Sequence, residues 1–221
     1  MKKEILEDTM YGTIQALYRG KPKKLMDHKG KEYISGIQKE EVEYLTVTKE
    51  IIDGDDVANK TFHGGLDRVI CVYPIERYAF FEDEYKKPLP KCSFGENMTV
   101  TGLLEDEVYV GDIFQIGEVI VQISEGRMPC HTIEKRTGFE HLLKRIFETG
   151  FTGYFFRIIK EGTIKKDDKV HLIDRKQNQF TVMDLHHLFF NEKYNLEKMK
   201  RAIDIKELSE SWKSALKKRI K

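Results

Sequence analysis

Cys130 stands in the segment Ser124-Glu125-Gly126-Arg127-Met128-Pro129-Cys130-His131, which leaves an apolar run and enters a helical pattern. A cysteine in the first turn of a helix, beside Arg127 and His131, sits where positive potential lowers a thiol pKa. A thiolate is both a nucleophile and a soft metal ligand, so either chemistry is open to it. Nucleophilic catalysis would need His131 as base, but side chains adjacent in sequence seldom aim at each other. The plain alternative is a small buried hydrophobe. That alternative suits Cys71, which lies inside an apolar strand; Cys92, among lysines and prolines, falls in a loop and receives no role.

A second cluster, His63-Gly64-Gly65-Leu66-Asp67-Arg68, precedes a buried strand. Paired glycines permit positive φ and close backbone approach, and successive N–H groups can cradle an anion. His63 and Arg68 could add donors or charge to a phosphate, with Asp67 orienting either. A tight turn capped by Asp67 explains the same residues. Phe94-Gly95-Glu96-Asn97 offers Asn97, a donor and acceptor for a heterocycle edge; here too a turn is the simpler reading. The chain has no GxxxxGK[ST] loop, no GxGxxG fingerprint and no HExxH helix. His186 and His187 are neighbours, so on a helix they point about 100° apart and do not chelate one metal together.

These residues need a scaffold, and from Tyr11 to about Asp174 the pattern is mainly β. Gly12 to Tyr18 and Val42 to Thr48 read as strands, and Val69 to Tyr73 is an apolar run short enough for a buried one. Asp112 to Ile116 and Glu118 to Ser124 meet at Gly117 as a hairpin, and Tyr154 to Ile159 and Val170 to Ile173 complete the set. Two helices interrupt. One starts at Pro74 and carries Tyr78, Phe81 and Tyr85. The other runs from Thr132 to Phe147, with Phe139, Leu142, Leu143 and Ile146 on one stripe and Gly150 as its stop. Many short strands with turns between them suggest a closed or nearly closed sheet. After Gln179 the period becomes helical: a capping box at Thr181 to Asp184, then Leu196, Met199 and Ile203, then Trp212, Leu216 and Ile220. The expected class is mainly β with α (α+β), with a barrel-like domain over residues 1–176 and a small three-helix element over 177–221.

The 38 basic and 37 acidic residues give a net charge of +1, so no global field favours nucleic acid. The basic run near the C-terminus is explained by a solvated helix face. Three cysteines without CxxC spacing argue against a disulfide framework and a zinc ribbon. Acidic residues stand where a signal peptide needs an apolar run, and no stretch approaches the ~18 apolar residues of a membrane span. A reduced, cytoplasmic protein without nucleic-acid or membrane partners is expected.

Taken together, Gly20-Lys21-Pro22, Asp53-Gly54-Asp55-Asp56, His63 to Arg68, Phe94 to Asn97, Val110-Gly111-Asp112 and Arg127 to Cys130 resemble the MOSC family. This is the domain at the C-terminus of molybdenum-cofactor sulfurases, and the similarity is to its stand-alone bacterial YiiM-like branch. Leu208-Ser209-Glu210-Ser211-Trp212 resembles the three-helix extension of that branch. The resemblance implies a β-barrel-like fold, a molybdopterin pocket, and Cys130 as molybdenum ligand and catalytic residue. It implies that His63, Gly64, Gly65, Asp67, Arg68 and Arg127 hold the molybdenum cofactor, with Asn97 and Lys21 as further candidates. Related reductases, including the mitochondrial amidoxime-reducing component, reduce N-hydroxylated compounds such as amidoximes and hydroxylamino bases. The chain has neither a cysteine set for an iron–sulfur cluster nor a nucleotide fingerprint. An external electron donor such as a flavin reductase is therefore an expected partner, together with a small-molecule N-hydroxylated substrate and a second copy of the chain in a homodimer. The alternative function is a non-catalytic carrier of the cofactor. The branch often has Gln-Pro before the arginine, where this chain has Glu125-Gly126. A carboxylate there is unhelpful to an anionic cofactor unless it points away.

Overall fold

The computed structural model describes residues 11–59, 64–192 and 194–220. Seven strands close into a barrel: β1 (Tyr11–Arg19), β6 (Ile70–Pro74), β7 (Met98–Thr101), β8 (Ile113–Ile116), β9 (Val119–Gly126), β10 (Tyr154–Lys160) and β12 (Lys169–Asp174). Their order around the ring is β12-β8-β9-β10-β6-β7-β1, and β1 returns to β12 with Gly12 opposite Val170. Closure removes the unpaired edges that an open sheet would expose. The β6–β7 pair runs parallel and the other ring pairs antiparallel. A parallel pair needs a long crossover, and this one carries α1 (Ile75–Tyr85) over the barrel wall.

Outside the ring, β2 (Lys23–Met26) and β3 (Glu32–Ser35) form a hairpin. The expected strand from Val42 to Thr48 is instead two: β4 (Glu40–Val42) pairs with the end of β1, and β5 (Tyr44–Val47) with β11 (Gly162–Lys165). The break at Glu43 lets one run serve two partners. Pro74 ends β6 and caps α1 rather than occupying its first turn.

The expected helix from Thr132 to Phe147 is also two, α2 (Thr132–Thr137) and α3 (Leu142–Thr149). Gly138 adopts φ 69° and its N–H closes the first helix on the Glu134 carbonyl at 2.8 Å. This is the left-handed cap that glycine makes at little steric expense. Phe139, Leu142 and Ile146 face one apolar cluster with Tyr73, Phe81 and Phe94, while Leu143 is buried outside it, so three of the four stripe residues share a face across a broken helix.

The C-terminal residues form α4 (Val182–Phe190), α5 (Leu196–Ile203) and α6 (Glu210–Ile220). The capping box is present: Asp184 N donates to Thr181 Oγ1 and Thr181 N to Asp184 Oδ2, both at 3.0 Å. Val182, Leu185, Leu188, Trp212 and Leu216 are fully buried in the same apolar cluster as Phe114, Val121 and Ile123 of the barrel. None of the described helices is long and apolar enough to cross a membrane.

Candidate cofactor pocket

Strand β9 ends at Gly126, and the next residues run along the barrel mouth because Arg127 N donates to the Gly153 carbonyl at 3.0 Å. Cys130 therefore lies two residues before α2, not in its first turn, and its carbonyl accepts from Ile133 N at 3.1 Å. With six residues, α2 offers little dipole, so the expected helix field on the thiol is a weak argument. What Cys130 has instead is a cavity. It is half-buried and lines a cleft of about 320 Å³ between the β3–β4 segment and the mouth of the barrel. That volume falls in the range of small-molecule sites. His131 points elsewhere: its ring is exposed and lies 3.3 Å from Glu134 Oε2.

Arg127 lines the same cavity, and its Nη1 is buried without a hydrogen-bond partner among the described residues. Buried donors are nearly always satisfied, so this unmet N–H is a candidate to meet an acceptor entering beside it. Arg68 also reaches the wall, but its Nε donates to Glu125 Oε1 at 2.6 Å and its Nη2 to Ser211 Oγ on α6 at 2.9 Å. Glu125, 1% exposed, is not among the lining residues. Its two carboxylate oxygens are taken up by Arg68 and Ser211.

The glycine pair adopts the positive φ expected of it, 84° at Gly64 and 95° at Gly65. Gly64 lines the cavity and Gly65 does not; Gly65 accepts from Arg68 N at 2.9 Å to close a turn. Asp67 faces a different depression and pairs with Arg157 at 2.9 Å. His63 lies outside the described residues. Lys21 is exposed in the turn after β1 and does not reach the cavity.

Asn97 is on the cavity wall, yet its amide is spent on the protein. Its Oδ1 accepts from Cys71 N at 3.1 Å, and its Nδ2 donates to the Tyr18 carbonyl at 3.3 Å and to Asp55 Oδ2 at 3.0 Å. It ties β1 to β6 and holds Asp55 in place.

Lys39, Asp55 and Cys71, none of them a candidate site residue from sequence, also line the cavity. Lys39 Nζ pairs with Asp55 Oδ1, and both side chains are nearly buried, 5% and 11% exposed. The Asp53-Gly54-Asp55-Asp56 run was the available signal for Asp55; nothing local marks Lys39. Cys71 is buried as expected of a strand residue, and burial pushes its thiol up to about 11. Among the described residues no three His, Cys, Asp or Glu side chains are grouped to hold a metal ion. A metal beside Cys130 would need other ligands from a cofactor.

Comparison with known proteins gives this cavity a context. Residues 59–171 match the MOSC domain model and residues 181–221 the YiiM-like, 3-alpha helix domain. The chain is 34% identical to the YflK protein of Bacillus subtilis over 94% of each chain. It resembles the crystal structure of YiiM from Geobacillus stearothermophilus with a TM-score of 0.79 at 30% identity, covering 95% of this chain and 100% of that one. A Gibberella moniliformis protein named reductase is 31% identical over 60% of this chain, which spans 24% of that protein's length. MOSC domains are associated with molybdenum-cofactor binding. These likenesses fit a molybdenum-cofactor-related function. Over the barrel and its helical extension alike, the chain belongs to the MOSC domain family, in its YiiM-like branch.

Proposed function

We propose that the chain binds the molybdenum cofactor in the Cys130 cavity and reduces N-hydroxylated compounds with electrons from a separate reductase. The observation that carries this reading is one cavity offering a half-buried thiol, Cys130, and a buried unsatisfied guanidinium nitrogen, Arg127 Nη1. A soft sulfur ligand and an anion-binding donor are what a molybdenum dithiolene bearing a phosphate requires.

Cys130 would ligate the metal through its sulfur. Arg127 would take the phosphate, with the Arg68 guanidinium adding its charge at the cavity wall, while Lys39 is engaged by Asp55. Gly64 leaves room for close backbone approach. Bound there, the cofactor would supply a two-electron redox centre acting on the N–OH oxygen. The net change is R–NHOH plus two electrons and two protons, giving R–NH2 and water. The chain's residues bind and orient, and the electrons come from an external donor such as a flavin reductase.

The test is molybdenum and pterin content of protein made in a host that synthesises the cofactor, beside a Cys130→Ala variant. Wild type should carry molybdenum and the variant should not; equal loading in both removes Cys130 as ligand. Loaded protein given a chemical reductant should consume an N-hydroxylated base. Full loading without any turnover would favour a cofactor carrier instead.

A further inference from the structure

The C-terminal helices do more than cover the barrel: one of them reaches a residue of the cavity wall. Arg68 is gripped by a carboxylate from β9 and a hydroxyl from α6. Glu125 Oε1 accepts from Arg68 Nε at 2.6 Å, Ser211 Oγ accepts from Arg68 Nη2 at 2.9 Å, and Ser211 Oγ donates to Glu125 Oε2 at 2.9 Å. The triangle is braced from both sides. Ser209 N donates to the Ser124 carbonyl at 3.0 Å, Ser209 Oγ lies 3.0 Å from Ser211 Oγ, and Trp212 Nε1 donates to the Gly126 carbonyl at 2.9 Å. The segment so held, Ser124 to Gly126, leads directly into Arg127 and Cys130.

We infer that Glu125 and Ser211 are positioning residues for Arg68, which makes α6 a structural part of the ligand cavity. An arginine side chain is long and loses much rotamer freedom when fixed. Two acceptors at different nitrogens of its planar fork fix both reach and rotation. The buried Glu125 carboxylate is in turn satisfied by Arg68 and Ser211, so each member holds the others. The inference rests on the cofactor reading for the identity of the ligand, but the geometry needs only an anion in the cavity.

The test uses full-length protein from a cofactor-producing host. E125A, S211A and E125Q are compared with S214A, an exposed control on the same helix. Pterin and molybdenum per chain, affinity of the cofactor-stripped chain for inorganic phosphate, and thermal midpoint are measured. S211A should lower phosphate affinity and pterin retention about threefold, and E125A about tenfold, as expected for losing hydrogen bonds to a charged group. E125Q keeps one acceptor, its Oε1 for Arg68 Nε, and turns an amide N–H toward Ser211 Oγ; it should lose clearly less than E125A, about threefold. Equal retention and equal phosphate affinity in all variants would overturn the inference. So would equal losses in E125Q and E125A, which would assign the effect to charge and not to placement. If wild type carries neither molybdenum nor pterin, the reductase reading fails on its own account. The phosphate series then decides the positioning role, and a wild-type chain that binds no phosphate overturns it.

Discussion

The Arg127 guanidinium has one nitrogen, Nη1, buried at the cavity without an acceptor among the described residues. An unmet buried donor costs the folded state about 1–3 kcal/mol, so the residue opposes stability while it serves binding. Arg127→Met should therefore raise the unfolding free energy slightly or leave it unchanged, and lower phosphate affinity and cofactor retention at least about tenfold. A urea titration beside a phosphate titration checks both; a fall in stability with unchanged binding would contradict this account. Asn97 should behave oppositely. Its amide joins Tyr18, Cys71 and Asp55 in a buried position, and Asn97→Ala strands those partners. A loss of about 3 kcal/mol in denaturant unfolding is expected. Sequence alone singles out both residues but cannot separate them, because an amide or guanidinium shows its partners only once the strands that bring them together have closed. Cys71 illustrates the same limit: its strand is legible, and the cavity behind it is not.

Helix boundaries were legible where a local device sets them. The Thr181–Asp184 box starts α4 by hydrogen bonds within four residues. The stop at Gly138 was also local, yet the apolar stripe running past it, from Phe139 to Ile146, argued for continuity. Helix α4 also docks through a buried histidine. His186 is fully buried, its Nε2 lies 3.0 Å from the Phe147 carbonyl of α3, and its ring stacks near Phe147 and Phe190. Burial lowers its pKa from the usual 6.5 to about 4, with the neighbouring His187 adding slightly to the effect. The unfolded chain thus binds a proton that the folded chain refuses. Stability from this group is complete above pH 6.5 and is lost as pH falls from there toward about 4. A decline of about 3 kcal/mol across that window is expected. Denaturant unfolding at a series of pH values should show a shallower slope for His186→Phe, and identical slopes would remove His186 as the cause.

Closure of the barrel depends on pairing residues far apart in sequence, Tyr11 to Thr13 against Lys169 to His171. Alternating apolar positions predict that such strands exist and that the sheet must bury one face, but not which strands are neighbours. The parallel β6–β7 pair and the β5–β11 ribbon were therefore out of reach of pattern alone. The relation between barrel and extension was likewise hidden. A change of period near Lys176 marks where helices begin, whereas the packing joins them into one apolar core through Val182, Leu188, Trp212 and Leu216. Backbone hydrogen bonds cross the junction too, from Val182 N to the Val108 carbonyl, Met183 N to Glu105 and Ser209 N to Ser124. A chain ending at residue 176 would uncover the apolar surface beneath these helices and leave Glu125 and Arg68 without Ser211. Exposed apolar patches of that kind drive association. The truncated chain should aggregate or bind a hydrophobic dye in a loosely packed state, and should retain no cofactor. Trp212→Ala tests the same junction more gently, with an expected loss of about 3–5 kcal/mol. A soluble truncated chain with native near-ultraviolet dichroism and wild-type pterin content would mean that the barrel needs neither the cover nor the grip of α6.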